Sequence, residues 1–246
     1  MEEQELLKRA GDLSVRSVKK WEITHTAFLT PAEQMLLQKH FRPEQGCEMR
    51  FFGGYEDAER RIAVFRPEDC PEPECGELIR AVHYKAYFGE PGHRDYLGAL
   101  LASGISRDRL GDILIQGEDS WVLCQSGIAG HLTAVDRIGR VSVRAEEVPA
   151  ESVPSPKRET KSLSFTVQSM RVDAVAAGMF RLSRSKCADF IREGLLSLNY
   201  SICEKTDAEV REGDIISLRG CGKGIVAELG GNSRKGRQFV RTEIYQ

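Results

Sequence analysis

Between residues 171 and 220 the chain is punctuated by residues that start or stop helices, and this confines it to short elements. Arg171-Val172-Asp173 opens a helix whose inward residues are Val172, Val175 and Ala176, and Gly178 is expected to end it. Ser183 then stands at the N-cap of a second helix. Arg184, Ser185 and Lys186 form its first turn, Cys187, Phe190 and Ile191 its buried stripe, and Gly194 its C′ stop. A strand over 195–199 leads through a turn at Tyr200-Ser201 to Ile202. The turn Glu212-Gly213-Asp214 then feeds a strand, Ile215-Ile216-Ser217-Leu218, which closes on Arg219-Gly220.

This layout suits phosphate binding. A helix N-terminus presents unpaired N–H groups and partial positive charge, which makes it a site for anions. Arg184 and Lys186 lie beside one such terminus, Ser183 and Ser185 supply hydroxyls, and Arg171 heads the neighbouring helix. Contacts of this kind position a protein on a nucleic acid without reading its bases. Lys205, Arg219, Lys223, Arg234, Lys235 and Arg237 add charge further on, and Asn199 at the hairpin turn completes the candidate RNA-binding set. The competing reading is a capped helix with an ordinary solvated face, since Ser is a preferred N-cap anywhere. Gly220-Cys221-Gly222-Lys223-Gly224 lacks the spacing and the Ser/Thr of a phosphate loop, and reads as flexible backbone beside RNA.

Charge is distributed unevenly. Residues 171–246 carry 13 Lys and Arg against 10 Asp and Glu, a net of +3. The preceding 170 residues carry 22 against 27, a net of −5. A positive tail on a negative body accompanies polyanion binding. Nothing approaches the run of about 20 apolar residues that a membrane span needs, and the acidic, polar opening is no signal peptide. Seven cysteines in no regular framework read as reduced thiols of a cytoplasmic protein. Cys70 and Cys75 bracket Pro71-Glu72-Pro73-Glu74, too wide a pair for a zinc knuckle, so no metal and no cofactor are expected.

The body divides at its prolines. Residues 2–20 read as an amphipathic helix around Leu6, Leu7, Leu13 and Val18. Thr30 is an N-cap followed by Pro31, with Glu33 in the first turn and Ala32, Met35 and Leu36 on one face. Strands are expected at 50–55 and 61–65, and Pro67, Pro71 and Pro73 then break the chain. A second block runs strand (77–87), helix (93–104), hairpin (112–115 and 120–124), helix (127–135) and strand (141–145). That order fits a split βαβ plait of the kind many RNA-recognition domains use, although their aromatic stacking signature is missing. Residues 149–161 read as either a short linker or a surface crossing between domains, and 163–168 as a strand entering the last module.

Residues 169 to about 223 resemble the RNA-binding module named after the fourth protein of the small ribosomal subunit, the S-four domain. The resemblance rests on Arg171-Val172-Asp173, Ser183-Arg184-Ser185-Lys186, the Gly194 turn, the 195–199 strand, and Gly213-Asp214-Ile215 leading to Arg219-Gly220. One departure is the hairpin turn, where that family has Asn-Gly and this chain has Asn199-Tyr200; Asn-Gly favours positive φ. Phe51-Phe52-Gly53-Gly54-Tyr55-Glu56-Asp57-Ala58-Glu59-Arg60 is similar to a signature of the YlmH family. So are His93-Arg94-Asp95-Tyr96-Leu97-Gly98-Ala99-Leu100-Leu101, Gly104-Ile105-Ser106-Arg107 and Leu110-Gly111-Asp112-Ile113.

This second resemblance covers nearly the whole chain. It implies a multidomain α+β protein: an N-terminal α+β domain (1–74), a central α/β plait, RNA-recognition-like (75–160), and a C-terminal S-four domain (161–246). It also implies a non-catalytic, cytoplasmic bacterial protein, monomeric off the ribosome. Its partners would be rRNA of the large ribosomal subunit and peptidyl-tRNA, and its role rescue of stalled translation. The alternative is an RNA-modifying enzyme resembling pseudouridine synthases, which also carry S-four domains. Its nearest candidate strings are Arg94-Asp95-Tyr96 and Arg107-Asp108-Arg109-Leu110; separately, His93 with Asp95 two residues on is a general-base candidate, although such a His more often caps or packs. A lone Arg-Asp pair is more often a surface ion pair.

Overall fold

The computed structural model describes residues 3–71, 73, 75–155, 160–232 and 236–245. The chain forms two compact units, Met1–Pro156 and Lys157–Gln246. Both mix helices with antiparallel sheets, so the α+β class stands. Among the described residues no helix is long and apolar enough to cross a membrane.

In the first unit, α1 (Glu3–Lys20) buries Leu6, Ala10, Ser14 and Ser17, one helical stripe. The two serines are small enough to let the helix lie close, and their polar atoms are satisfied. Ser14 Oγ accepts from Glu44 N at 2.7 Å, and Ser17 Oγ donates to Phe65 O at 3.2 Å. Strand β1 (Thr24–His25) follows, then α2 (Pro31–His40), which starts in a capping box. Thr30 Oγ1 accepts from Glu33 N, and Glu33 Oε2 accepts from Thr30 N at 2.7 Å. Its buried residues are Gln34 and Leu37, not the expected Ala32, Met35 and Leu36. Gln34 is drawn inward because its amide donates to Leu29 O and Glu59 O. Strands β2 (Cys47–Phe52) and β3 (Ile62–Pro67) complete a sheet of order β1-β3-β2.

The same unit continues through α3 (Cys75–Leu78), β4 (Ile79–Ala86), α4 (His93–Ala102), β5 (Leu110–Gln116), β6 (Asp119–Gln125), α5 (Ala129–Leu132), β7 (Arg137–Ile138) and β8 (Val141–Pro149). The strand order β5-β6-β4-β8-β7 is antiparallel throughout and interleaves two split β-α-β units. The helix expected over 127–135 shrinks to a 3-10 turn, Ser126–Ile128, and the single turn α5. Gly127 and Gly130 lie in it, and glycine costs a helix roughly 1 kcal/mol per residue. One face of this sheet packs on α4 and α5 through Val82, Tyr84, Tyr96, Leu100, Val122 and Leu132. On the opposite face Ala81 and Leu123 share a core with Phe28, Ile62 and Val64 of the preceding block.

The second unit comprises β9 (Thr160–Val167), α6 (Val172–Phe180), α7 (Arg184–Arg192), β10 (Leu196–Leu198), β11 (Ser201–Ile202), β12 (Ile215–Leu218), β13 (Gly222–Asn232) and β14 (Gln238–Tyr245). Its six strands run β11-β10-β12-β13-β14-β9. Helices α6 and α7 cover one face, burying Val175, Ala176, Met179, Cys187 and Ile191 against Leu196, Ile216, Val226 and Val240. Three expectations change here. Gly178 does not end α6, which runs to Phe180 and caps at Arg181 with φ 55°. Gly178 is instead the contact point for Phe165, whose ring would lie 2.3 Å from a Cβ added there. The segment 220–224 is not flexible backbone either. It enters β13, and Gly224 is pinched between Met179 Sδ and Glu243 O, each 2.9 Å from an added Cβ. Finally, Asn199 and Tyr200 both take positive φ (52° and 65°), so the hairpin keeps its tight turn without Asn-Gly.

Candidate RNA interface

The candidate residues that the structure brings together surround one carboxylate. Asp173, with 6% of its side chain exposed, is gripped by two arginines. Arg171 donates through Nε at 3.2 Å and Nη2 at 3.1 Å. Arg184, at the first position of α7, donates through Nε at 3.1 Å and Nη2 at 3.3 Å. Both forks are bidentate, the strongest geometry for this pair. Burial pushes the Asp173 carboxyl up, but the hydrogen bonds and charges of Arg171 and Arg184 outweigh it and hold the group below its ordinary value. The arginines themselves remain 39% and 51% exposed. One carboxylate thus fixes two guanidiniums whose charge it cancels only by half.

The two helix ends are not equivalent. In α6, Val172 N donates to Ala208 O at 2.8 Å and Asp173 N to Thr206 O at 3.3 Å. The amides of Val172 and Asp173 are therefore spent within the fold. At α7, Ser183 Oγ accepts from Lys186 N at 3.2 Å. Among the described residues, the amides of Arg184 and Ser185 take no partner. Ser183 and Ser185 hydroxyls lie 3.1 Å apart on the exposed end, and Lys186 Nζ stands 5.7 Å over the Phe190 ring. The cradle is thus Arg171, Arg184, Ser185 and Lys186, with Ser183 serving mainly as the cap.

Other candidates lie elsewhere in the unit. Asn199 is committed to its turn, donating to Asp214 Oδ1 at 2.7 Å and accepting from Ile215 N at 3.0 Å. Lys223 alternates with the buried Gly224 and so points from the sheet face opposite the helices. It stacks there over Tyr200 at 4.9 Å and Tyr245 at 5.5 Å. Lys205 and Arg219 are exposed, and Arg237 donates to Thr166 O at 3.0 Å. Arg234 and Lys235 lie outside the described residues. The sequence reading missed Asp173 as the organising group. An Asp in the first turn of a helix looks like an ordinary dipole partner, and its second arginine lies eleven residues away.

The motifs of the first unit form a latch. Asp112 on β5 accepts from Tyr55 Oη at 2.7 Å, Glu59 N at 2.7 Å and Arg60 N at 3.0 Å. Arg60 reaches back to Leu110 O and Phe28 O, while Arg107 donates to Leu110 O and Gly111 O. Burial lowers the Arg107 guanidinium to about 10, with the Arg60 charge adding to the effect. The strings considered for catalysis have structural occupations. Asp95 accepts from Gly92 N at the start of α4, and Asp108 accepts from the Ser106 hydroxyl. Among the described residues no cluster of three metal-ligating side chains occurs.

Fold and site together define a multidomain α+β protein carrying a cationic cradle clamped at a helix junction. The chain belongs to the YlmH family. Residues 2–69 match the family model described as "YlmH, N-terminal", and residues 76–152 match "Putative RNA-binding domain in YlmH". The chain is 31% identical over 221 residues to the Ribosome-associated protein quality control protein P2 of Bacillus subtilis, covering 89% of this chain and 86% of the relative. It is also similar in fold to the cell division protein ylmH from Streptococcus pneumoniae, with a TM-score of 0.51 at 17% identity, covering 63% of this chain and 96% of that one.

Proposed function

We propose that this protein is a non-catalytic RNA-binding factor of the ribosome. It docks on rRNA of the large subunit and on peptidyl-tRNA, and acts in quality control of stalled translation. The observation that carries the reading is the Asp173 clamp, which holds Arg171 and Arg184 with outer N–H groups directed to solvent beside the α7 N-terminus. A guanidinium has five donors, and two on each arginine are committed. The remainder, with Lys186, match the oxygens of adjacent phosphates. The name of the Bacillus subtilis relative supports the ribosome as the place of action, and the family model over residues 76–152 supports RNA as the ligand. In this reading residues 1–74, 75–160 and 161–246 are three modules, the last an S-four domain that anchors the acidic body.

The test is co-sedimentation. An Arg184→Ala/Lys186→Ala double variant should stay folded, because both residues are exposed and Arg171 still pairs with Asp173, yet lose its association with large ribosomal subunits. Undiminished sedimentation at near-physiological salt would sink the reading.

A further inference from the structure

The face of the central sheet turned away from α4 and α5 is covered at only one end. There Ala81 and Leu123 pack under the N-terminal block, with Trp121 and Val148 partly buried against the same core. The strand register shows what occupies the rest. In the next row Trp121 on β6 stands beside His83 on β4 and Glu146 on β8. The His83 and Trp121 rings are stacked, 5.1 Å between centroids and 22° between planes. His83 Nε2 lies 2.8 Å from Asp119 Oδ1 and Nδ1 lies 3.3 Å from Glu146 Oε1, so the ring is held upright from both sides. The following row sets Lys85 between Arg144 on β8 and Asp119 on β6. Beyond it Tyr87 extends the ladder through its N–H to Ser142 O at 3.2 Å, and Ser142 is paired with Arg137. Tyr87 is 68% exposed and its neighbour Phe88 63%.

Two features of this half-face are costly for a surface with nothing to bind. Two adjacent large aromatics stand in water. Lys85 and Arg144 face each other across neighbouring strands, a like-charge pairing that destabilises a sheet and that Asp119, opposite Lys85 on the other side, offsets only in part. Beside them Trp121, partly buried against the N-terminal core, is stacked on a histidine whose two nitrogens are both engaged. Rings alternating with cations along one open sheet are the equipment by which unpaired nucleic acid is held. Bases stack on the rings while cations track the backbone, and sequence matters little.

We infer that this half-face binds unpaired RNA. Trp121 and Tyr87 offer rings to successive bases, His83 positions Trp121, and Lys85, Arg144 and Arg137 hold the phosphates. The inference rests on the reading of the chain as an RNA binder, but places a second contact apart from the Asp173 cradle. The charge of the surface selects an anionic partner. Asp119 and Glu146 are turned toward His83, Asp119 also stands opposite Lys85, and Arg144 Nη2 lies 3.9 Å from Glu146 Oε2; Lys85, Arg144 and Arg137 against these two acids leave the edge net positive.

The experiment uses the full chain and a labelled oligouridylate of about 12 nucleotides, followed by fluorescence anisotropy. Trp121→Ala should weaken binding about tenfold, and Trp121→Phe should restore it to within about twofold. Lys85→Ser/Arg144→Ser alters only exposed side chains and should also weaken binding about tenfold, with a shallower salt dependence. In an Arg184→Ala/Lys186→Ala background, which should abolish large-subunit sedimentation, Trp121→Ala should still weaken oligouridylate binding about tenfold. Unchanged affinity in both Trp121→Ala and Lys85→Ser/Arg144→Ser overturns the inference and leaves the Asp173 cradle standing. Lost ribosome sedimentation with unchanged oligouridylate affinity in those two variants also overturns it, assigning the face to a protein partner. A parent protein that binds neither oligouridylate nor purified rRNA overturns both this inference and the RNA reading beneath it.

Discussion

Asp173 is a buried acid that two neighbouring helices share, and its removal should show in two separate measurements. Its pKa in the folded chain lies below the ordinary 3.8. A depressed carboxyl stabilises the fold fully above its unfolded value, and this contribution is lost as pH falls through the folded value. In urea unfolding, Asp173→Asn should therefore cost about 2 kcal/mol at neutral pH, the scale of hydrogen bonds to a charged group. The variant should also show a flatter loss of stability than the parent below about pH 4. The same change raises the charge of the cradle by one unit. If charge alone governed RNA affinity, binding would tighten. If fixed arginines matter, it should weaken by about tenfold, the entropy of ordering two long side chains. A tighter-binding Asp173→Asn in a filter-binding assay would refute preorganisation. Gly178 poses a second contest of magnitudes. Alanine there gains about 1 kcal/mol of helix propensity, but its Cβ would meet the Phe165 ring at 2.3 Å. Overpacking costs about 1–3 kcal/mol, so Gly178→Ala should lower the melting temperature. The sequence shows Ser183 and Gly194 as helix punctuation because capping is chemistry of a few neighbouring residues. It misreads Gly178 because that glycine answers to a ring on a distant strand.

Elements whose partners are near in sequence were legible, and those with remote partners were not. The hairpin of β5 and β6, the Thr30 capping box and the order of the central sheet follow from local pattern. Strand β9, by contrast, pairs with β14 across some seventy residues, Gln238 opposite Val167 and Tyr245 opposite Thr160. No periodicity in residues 220–232 announces that Gly222 and Gly224 lie in a strand rather than in a loop, since glycine contributes no side-chain alternation. The motif at 51–60 was legible as a signature, but its purpose was not. It presents a tyrosine and two backbone amides to Asp112, and so ties the loop between β2 and β3 onto β5. Asp112→Ala strips a partner from three donors at once. It should cost about 3 kcal/mol in chemical unfolding, the range for hydrogen bonds to an ionised acceptor. Limited proteolysis should then cut first within residues 53–61, where the released loop loses its anchor. A variant as stable and as resistant as the parent would show that the shared core of Phe28, Ile62, Val64 and Leu123 holds the two blocks together without the latch.

At the scale of the whole molecule the question is how a chain with a net charge of −2 binds a polyanion at all. Screening supplies the answer. Exposed charges interact over about 10 Å at 0.1 M salt, so an approaching phosphate responds to the charges within that range of it and little to the net charge of the chain. Affinity should then depend on salt through the number of phosphates engaged rather than through net charge. Each phosphate contact adds about 0.7–0.9 to the slope of log affinity against log salt. Removing Arg184 and Lys186 should therefore reduce that slope by about 1.4–1.8 for large-subunit RNA. The pairs Arg184/Lys186 and Lys85/Arg144 share no hydrogen-bond partner, so their effects should add in the quadruple variant. A single RNA engaging both surfaces behaves differently on one count. The second contact becomes intramolecular once the first has formed, and the loss in affinity for the quadruple variant then exceeds either double variant by far more than their separate oligonucleotide affinities indicate. Titrations of purified large subunits with the two double variants and the quadruple variant, each at several salt concentrations, separate these cases. Additive slopes with a disproportionate fall in affinity mean that both surfaces hold one RNA. Additive slopes with additive affinities mean that they act on separate RNAs, and an unchanged slope in any variant removes the altered residues from the phosphate contacts.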